Sequence, residues 1–183
     1  MLHNTAIGSH EANFYLGDSP GANGLIRANV SHQAQGWGIF IRDSQFVTVQ
    51  DNDIRENCVG LLVLADSPGP AGNVTATHNT ILTNNAVCPG GEGPPLSGVG
   101  VILAGAHDVT LQENVISGNA PAGGSAFSGG VVLATIATTP PMNNRITKNT
   151  IVQNSTDVVS DGTDVGTVIK HNVCGNTNPG LCA

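Results

Sequence analysis

Short stretches of alternating apolar and polar residues recur along the chain, and each is followed by an asparagine. Val47-Thr48-Val49 and Val74-Thr75-Ala76 show the two-residue period of a strand that is buried on one face. A second stretch, apolar throughout, lies between successive asparagines, as in Val101-Ile102-Leu103. A fixed, repeated arrangement of this length predicts a solenoid. The recurring asparagines, spaced 23 to 35 residues apart, are Asn4, Asn29, Asn52, Asn79, Asn114, Asn149 and Asn172.

A second asparagine follows five residues after the first in the central copies, at Asn57, Asn84, Asn119 and Asn154. Three short strands per repeat, without helical periodicity, predict an all-β chain: a right-handed parallel β-helix of about seven coils. Equivalent residues of successive coils then stack about 4.8 Å apart. We expect the asparagines to form an internal ladder of side-chain hydrogen bonds.

The domain organisation follows from the repeat. Residues 1–183 are expected to form a single β-helix domain, with loop insertions at 85–98 and 120–129 and a C-terminal cap at 173–183. Met1 already occupies an inward strand position, and residues 1–20 hold no apolar leader segment. We therefore expect that an N-terminal cap, earlier coils or an export signal precede this sequence.

Composition narrows the choice of partners. Charged residues make up 10% of the chain, and the net charge is −7. This balance disfavours binding to nucleic acid or to an anionic membrane surface. A cationic ligand, a divalent metal or a neutral glycan is more compatible with it.

The four cysteines are Cys58, Cys88, Cys174 and Cys182. Cys58 and Cys88 fall near the same turn of adjacent coils, and Cys174 and Cys182 close a small loop. Cys58–Cys88 and Cys174–Cys182 are the most economical of three pairings, and disulfides would suit an exported chain. The alternative is four reduced thiols, with Cys174 filling the core.

The pattern LxxN-x-I-xxN, with Gly-[Ile/Leu/Val]-x-[Ile/Val/Leu] between copies, resembles the right-handed parallel β-helix repeat of the pectin-lyase-like superfamily. The phrases "GDSP", "IRDSQ" and "EGPPLSGVGV" are similar to those of exported actinobacterial β-helix proteins. The resemblance covers nearly the whole chain. It implies an extracellular protein, and the superfamily includes polysaccharide lyases, hydrolases and uronate epimerases. Fold alone does not choose among these activities.

One candidate site is the column of residues directly before each ladder asparagine. Stacking would place Asp51, His78 and Glu113 in an outward cluster that could bind a divalent metal or supply acid and base groups to a sugar. These three are candidate catalytic residues. The alternative is a solvated turn edge whose opposite charges stabilise the stack.

A second column contains Asp18, Asp43 and Asp66, each following an apolar strand. Stacked carboxylates are candidate Ca²⁺ ligands. The alternative is that each aspartate accepts backbone N–H bonds within its own turn. The superfamily's lyases rely on an Arg or Lys base beside acidic residues, so Arg42 and the adjacent Asp43 join the catalytic candidates.

The strands midway through each coil are apolar on both faces. The outward positions are expected to hold Tyr15, Phe40, Val63, Ile102 and Val132. A sheet that is apolar on both faces is normally covered on both. The cover could be the two insertions, a second copy of the chain in a homo-oligomer, or a glycan in a groove.

Aromatic residues near this face are candidate substrate-binding groups: Tyr15, Trp37, Phe40 and Phe127. A separate flat face, with Thr48, Thr75 and Thr110 beside glutamines, could bind a crystalline polysaccharide or be ordinary strand surface.

Two function classes follow. The first is an exported β-helix protein that binds or acts on a polysaccharide, as a lyase, hydrolase or epimerase. The alternative is a non-catalytic structural or interaction module that forms an oligomer or part of a longer solenoid.

Overall fold

The computed structural model describes residues 1–21, 23–66, 69–88, 93–177 and 181–182. Within these, the chain winds as a right-handed parallel β-helix, and its strands stack into three long sheets. The first sheet contains, in order, β1 (Thr5–Ile7), β4 (Val30–His32), β7 (Asp53–Arg55), β10 (Thr80–Leu82), β15 (Val115–Ser117), β18 (Thr150–Val152) and β21 (Val173–Cys174). The second contains β2 (Ala12–Gly17), β5 (Trp37–Arg42), β8 (Val59–Leu64), β13 (Val99–Ala104), β16 (Gly129–Ala134) and β19 (Val158–Ser160). The third contains β3 (Gly24–Arg27), β6 (Gln45–Gln50), β9 (Gly72–Thr77), β14 (Thr110–Gln112), β17 (Arg145–Thr147) and β20 (Val168–Lys170).

Two further strands, β11 (Val87–Cys88) and β12 (Leu96–Ser97), pair antiparallel within the first insertion. Residues 89–92 of that insertion, and residues 178–180 and 183 of the predicted C-terminal cap, lie outside the described residues. Across the described part of the chain, no helix has the length and apolar character needed to cross a bilayer.

The predicted asparagine ladder is confirmed, and Asn79 shows how each step works. Its Oδ1 accepts hydrogen bonds from the backbone N–H of Asn52 at 3.0 Å and from Asn52 Nδ2 at 2.8 Å. Its own Nδ2 donates to Val49 O at 2.9 Å and to Asn114 Oδ1 at 3.0 Å. Each buried amide thus finds hydrogen-bond partners for its own donor and acceptor. It also supplies partners to backbone groups of the corner that have none in a sheet.

The second ladder runs through Asn57, Asn84, Asn119 and Asn154 with the same geometry. It ends at Asp157, whose Oδ1 accepts from Asn154 Nδ2 at 3.0 Å. Asp157 Oδ2 accepts the backbone N–H groups of Gly175 and Asn176, both at 2.6 Å. A buried carboxylate therefore closes the ladder at the C-terminal end.

A glycine column packs against the second ladder at Gly38, Gly60, Gly100 and Gly130. A Cβ at Gly60 would lie 2.5 Å from Gly100 O, 2.6 Å from Ile81 Cγ2 and 2.9 Å from Asn84 Nδ2. Those distances leave no room for a side chain. The glycine that opens each apolar stretch is required because the ladder amide and the sheet lie so close together.

The inner core is aliphatic and continuous from coil to coil, with Ile26, Ile54 and Ile81 among its fully buried members. The outer face of the second sheet carries a second apolar cluster that includes Leu62, Ile102 and Val132. The first and second insertions contribute Cys88, Leu96 and Phe127 to this cluster. The insertions therefore cover part of the outer face, which was one of the three covers expected.

The predicted outward direction of Val63 is wrong. Phe40 pairs with Leu62, and Ile41 pairs with Val63, which is fully buried in the inner core. Apart from Gly60, strand β8 is apolar at every position, so the sequence pattern does not show which side chains face the core and which face outward. The register follows from aligning Gly60 with Gly38.

Both predicted disulfides are present. Cys58 and Cys88 join with their Cα atoms 5.6 Å apart, and Cys174 and Cys182 with theirs 6.3 Å apart. The first ties the opening of the first insertion to strand-flanking residues of the preceding coil. The second holds the tail, where Leu181 and Cys182 pack on the core.

Replacing Gly60 with alanine should destabilise the fold by about 1–3 kcal/mol, because the added methyl group overpacks a site bounded by backbone. Urea unfolding would measure the loss. The matched control is Gly124→Ala, since a Cβ there meets nothing within 4 Å. Equal stability of the two variants would contradict the packing argument.

Replacing Asn79 with alanine should cost about 2–4 kcal/mol, because it leaves buried donors and acceptors on both neighbouring coils unpaired. Asn172→Ala, at the partly exposed end of the same ladder, should cost only about 1 kcal/mol, since water can reach the freed groups. Thermal unfolding of both variants tests this order, and the reverse order would refute it.

Candidate functional site

An aromatic row lies on the outer face of the second sheet in the N-terminal coils. Tyr15 of β2 and Phe40 of β5 are register partners, with ring centroids 5.2 Å apart. The Trp37 ring is 4.6 Å from that of Phe40. Tyr15 is 47% exposed and Trp37 is partly exposed, whereas Phe40 is only 4% exposed. Tyr15 and Trp37 therefore form the accessible part of the row, and Phe40 is packed between them.

Strand geometry places Arg42 at one end of this row. Gly17 is the register partner of Arg42, and a side chain at Gly17 would collide with the Tyr15 hydroxyl. The Tyr15 ring thus lies along β2 over Gly17 and extends toward the guanidinium. The absence of a side chain at Gly17 is what lets the tyrosine lie flat against the sheet.

Arg42 is held by an ion pair between coils. Its Nε donates to Asp66 Oδ1 at 3.0 Å and lies 3.8 Å from Asp43 Oδ2. The hydrogen bond that Arg42 donates to Asp66, together with the negative charge of that carboxylate, raises the pKa of Arg42 above its usual range. In its protonated form the guanidinium donates hydrogen bonds at this surface.

The column of Asp18, Asp43 and Asp66 lies at the corner that follows the second sheet. Asp18 and Asp43 have φ of 52° and 45°, and Asp43 Oδ1 accepts the backbone N–H of Asp66 at 3.1 Å. Asp43 is 1% exposed. Among the described residues, no three His, Cys, Asp or Glu side chains come together as metal ligands.

Asp51, His78 and Glu113 lie at a different corner, at the far end of β6 from Asp43. Strand β6 has six residues, which span about 20 Å. All members of this column have φ near 55°, including those at Asp51, His78 and Glu113. The column is therefore a row of left-handed corner residues, set by the coil geometry.

The charges of this column pair along the stack and do not converge on one point. Asp51 Oδ2 lies 3.1 Å from Arg27 Nε, in the preceding coil. Glu113 lies 2.9 Å from His78 Nε2 and 3.8 Å from Lys148 Nζ. These side chains are exposed on a solvated edge, where Arg27 and Lys148 offset the carboxylates of Asp51 and Glu113.

Phe127 stands apart from the aromatic row. It lies in the second insertion and packs on the outer apolar cluster with Leu96 and Cys88. Its place is in the cover of this face.

A shallow depression at the Asp66 corner contains a histidine that the sequence analysis did not single out. Asp66, His107 and Thr139 line it, and His107 Nδ1 lies 2.8 Å from Asp108 Oδ2. A Cβ at Gly72 would be 2.6 Å from His107 Nε2, so the ring lies over this glycine. The equivalent residues of other coils are Gln45, Gly72 and Met142, and no repeated pattern marks the position.

Comparison with known proteins bears on the fold. A family model described as a right handed beta helix region matches residues 1–81. No curated protein matches the sequence. Two solved structures of the periplasmic alginate epimerase AlgG resemble the chain: a double mutant, with TM-score 0.72 and 18% identity, and a single mutant, with TM-score 0.67 and 17% identity. Each likeness covers 96% of this chain and 39% of AlgG, so the chain spans about two fifths of that enzyme's length.

These likenesses agree with the three stacked parallel sheets. At such low identity, they concern the fold and not the chemistry. The chain has the right-handed parallel β-helix fold predicted from its sequence.

Proposed function

We propose that this chain is an exported polysaccharide-binding β-helix. The proposed binding surface, called here the Tyr15–Arg42 surface, consists of Tyr15, Trp37, Arg42 and Asp66. The observation that carries the proposal is the aromatic row ending at a charged pair on one open sheet face.

The chemistry of this surface suits sugar rings. The apolar face of a pyranose can lie against an aromatic ring, and its hydroxyls can both donate and accept hydrogen bonds. Arg42 offers N–H donors and Asp66 offers carboxylate acceptors, and both side chains are about one third exposed. At the other end of the row, Ser9, His10 and Glu11 line a depression together with Tyr15. Polar groups thus flank the aromatic row at both ends.

Charge favours a neutral polymer over an acidic one. The chain carries a net charge of −7, and Arg42 is already balanced by neighbouring carboxylates. A polyuronate would meet repulsion that is screened only partly at physiological salt. The likeness to AlgG, whose name is that of an alginate epimerase, supports a polysaccharide as the ligand class.

Binding is the function that these groups support best. Arg42 is held by Asp66 in its charged, hydrogen-bond-donating form, and Asp43 is 1% exposed, so the groups that a bound sugar meets here are donors and acceptors of hydrogen bonds. The two disulfides support export, because such bonds persist in oxidising compartments.

Tyr15→Ala should weaken polysaccharide binding about two- to tenfold, since an aromatic contact contributes about 0.5–1.5 kcal/mol. Retention of the purified protein would be measured on β-glucan, xylan, chitin and alginate. Val115→Ala is the matched control, because Val115 is 43% exposed on the outer face of the first sheet. We expect retention on at least one neutral polymer, with the control unchanged.

The proposal fails if the wild-type protein is retained on none of the neutral polymers. It also fails if Tyr15→Ala and Val115→Ala bind as the wild type does. Stronger retention on alginate than on every neutral polymer would overturn the charge argument. The contribution of Tyr15 would then be decided by the binding of Tyr15→Ala to alginate.

A further inference from the structure

A corner column between the second and third sheets contains one residue that does not fit it. The column is aligned by the register of β3, β6 and β9 and by the bridges that continue it through His107 and Met142. All six members have left-handed backbone, with φ from 44° to 69°. They are Asn23, Phe46, Asn73, Asp108, Asn143 and Gly166.

Five of the six are asparagine, aspartate or glycine, the residue types that adopt this conformation most readily. Phe46 has φ of 59°, although a bulky side chain is strained there. It is also 49% exposed, so it is not retained to fill the core. Strain together with exposure of a large aromatic ring points to a role outside the fold itself.

Phe46 borders a flat polar face. Phe46, Thr48 and Gln50 point outward from β6, alternating with the buried Val47 and Val49. In register with Thr48 lie Thr75 and Thr110, and in register with Gln50 lie Thr77 and Gln112. Hydroxyl and amide groups therefore repeat at the strand spacing, about 4.8 Å, over three coils.

We propose that Phe46 and this face form a second polysaccharide-contact surface, which takes an uncharged polysaccharide laid flat on the third sheet. The ring of Phe46 would stack on a sugar, and the hydroxyl and amide rows would hydrogen-bond to its neighbours along the chain.

Charge identifies the occupant. The Thr48 and Gln50 rows carry no charge across β6, β9 and β14, and they are bounded by Arg27, which is paired with Asp51, on β3 and by Arg145 on β17. The nearby Asp51 and Glu113 at the edge are already paired with Arg27, His78 and Lys148. A neutral polymer gains hydrogen bonds here without displacing those pairs, whereas an acidic one meets the net negative charge of the chain.

The second surface extends the proposed function, and it is tested by variants that leave the Tyr15–Arg42 surface unchanged. Phe46 lies on the third sheet, beyond the corner formed by Asp43, while Tyr15 and Trp37 lie on the second sheet. One molecule could then contact polysaccharide on two faces.

Phe46→Asn gives opposite effects on stability and binding. Asparagine tolerates the left-handed conformation, so the melting temperature should rise by about 2–4 °C. Affinity for the neutral polymer should fall about tenfold, because the aromatic contact is lost. Phe46→Tyr keeps the ring and should keep the affinity. Asn143→Ala is the control in the same column, about 14 Å away over three coils, and should lower the melting temperature without changing affinity.

The proposal is overturned if Phe46→Asn binds as the wild type does, or if Phe46→Tyr loses affinity to the same extent as Phe46→Asn. Sedimentation of the wild type and of Phe46→Asn tests whether a second copy of the chain occupies this face instead. If the wild type is a dimer and Phe46→Asn is a monomer, the face is an interface between copies and the proposal is overturned.

Failures of the two surfaces are distinguishable. Loss of binding in Tyr15→Ala, but not in Phe46→Asn, refutes the second surface and leaves the Tyr15–Arg42 surface standing. The reverse pattern refutes the Tyr15–Arg42 surface alone. Absence of wild-type retention on every neutral polymer refutes both.

Discussion

The hydrogen bonds of the ladder asparagines are the interaction on which the rest of the structure depends. A coil of three short strands must turn repeatedly, and at each turn the backbone loses its sheet partners. A buried N–H or C=O without a partner is costly. A primary amide carries both a donor and an acceptor on a short stem, so one asparagine per corner can satisfy the turn of its own coil and bind the next. Because every coil meets its neighbour through these amides, they also set the register of all three sheets.

The same constraint decides where function can be built. The interior is filled by the ladders, the aliphatic core and a glycine column that leaves no spare volume. Chemistry is confined to outward strand positions and to corners. The corners are themselves restricted to left-handed backbone, which fixes the direction in which their side chains leave the chain. Both proposed surfaces therefore arise from side chains that the fold does not need: the aromatic row on the second sheet, and Phe46 beside the hydroxyl and amide rows on the third.

How far the sequence could predict this structure depended on whether a feature repeats. The fold, both ladders and the two disulfides repeat or lie close together, and they were predicted. Val63 was assigned to the wrong face because β8 is apolar on both sides. The pairing of Arg42 with Asp66 could not be foreseen from spacing, since a long side chain at an outward position can reach either adjacent coil. Asp51 similarly pairs with Arg27 and not with His78. The position of His107 over Gly72 depends on a missing side chain in the preceding coil, which no motif records.

Asp157 reveals that the ladders have a polarity. In each step, the Nδ2 of one coil donates to the Oδ1 of the following coil, so the amides align head to tail along the helix axis. A carboxylate accepts but cannot donate, and at the last step of the second ladder the next coil presents the backbone N–H groups of Gly175 and Asn176 to Asp157. The stack is thus a directional column of amides, and in the second ladder a carboxylate follows the last amide. A duplicated coil could be inserted into the stack only if its asparagines kept the same donor-to-acceptor orientation. Asp157 is the position at which the head-to-tail series of amides ends.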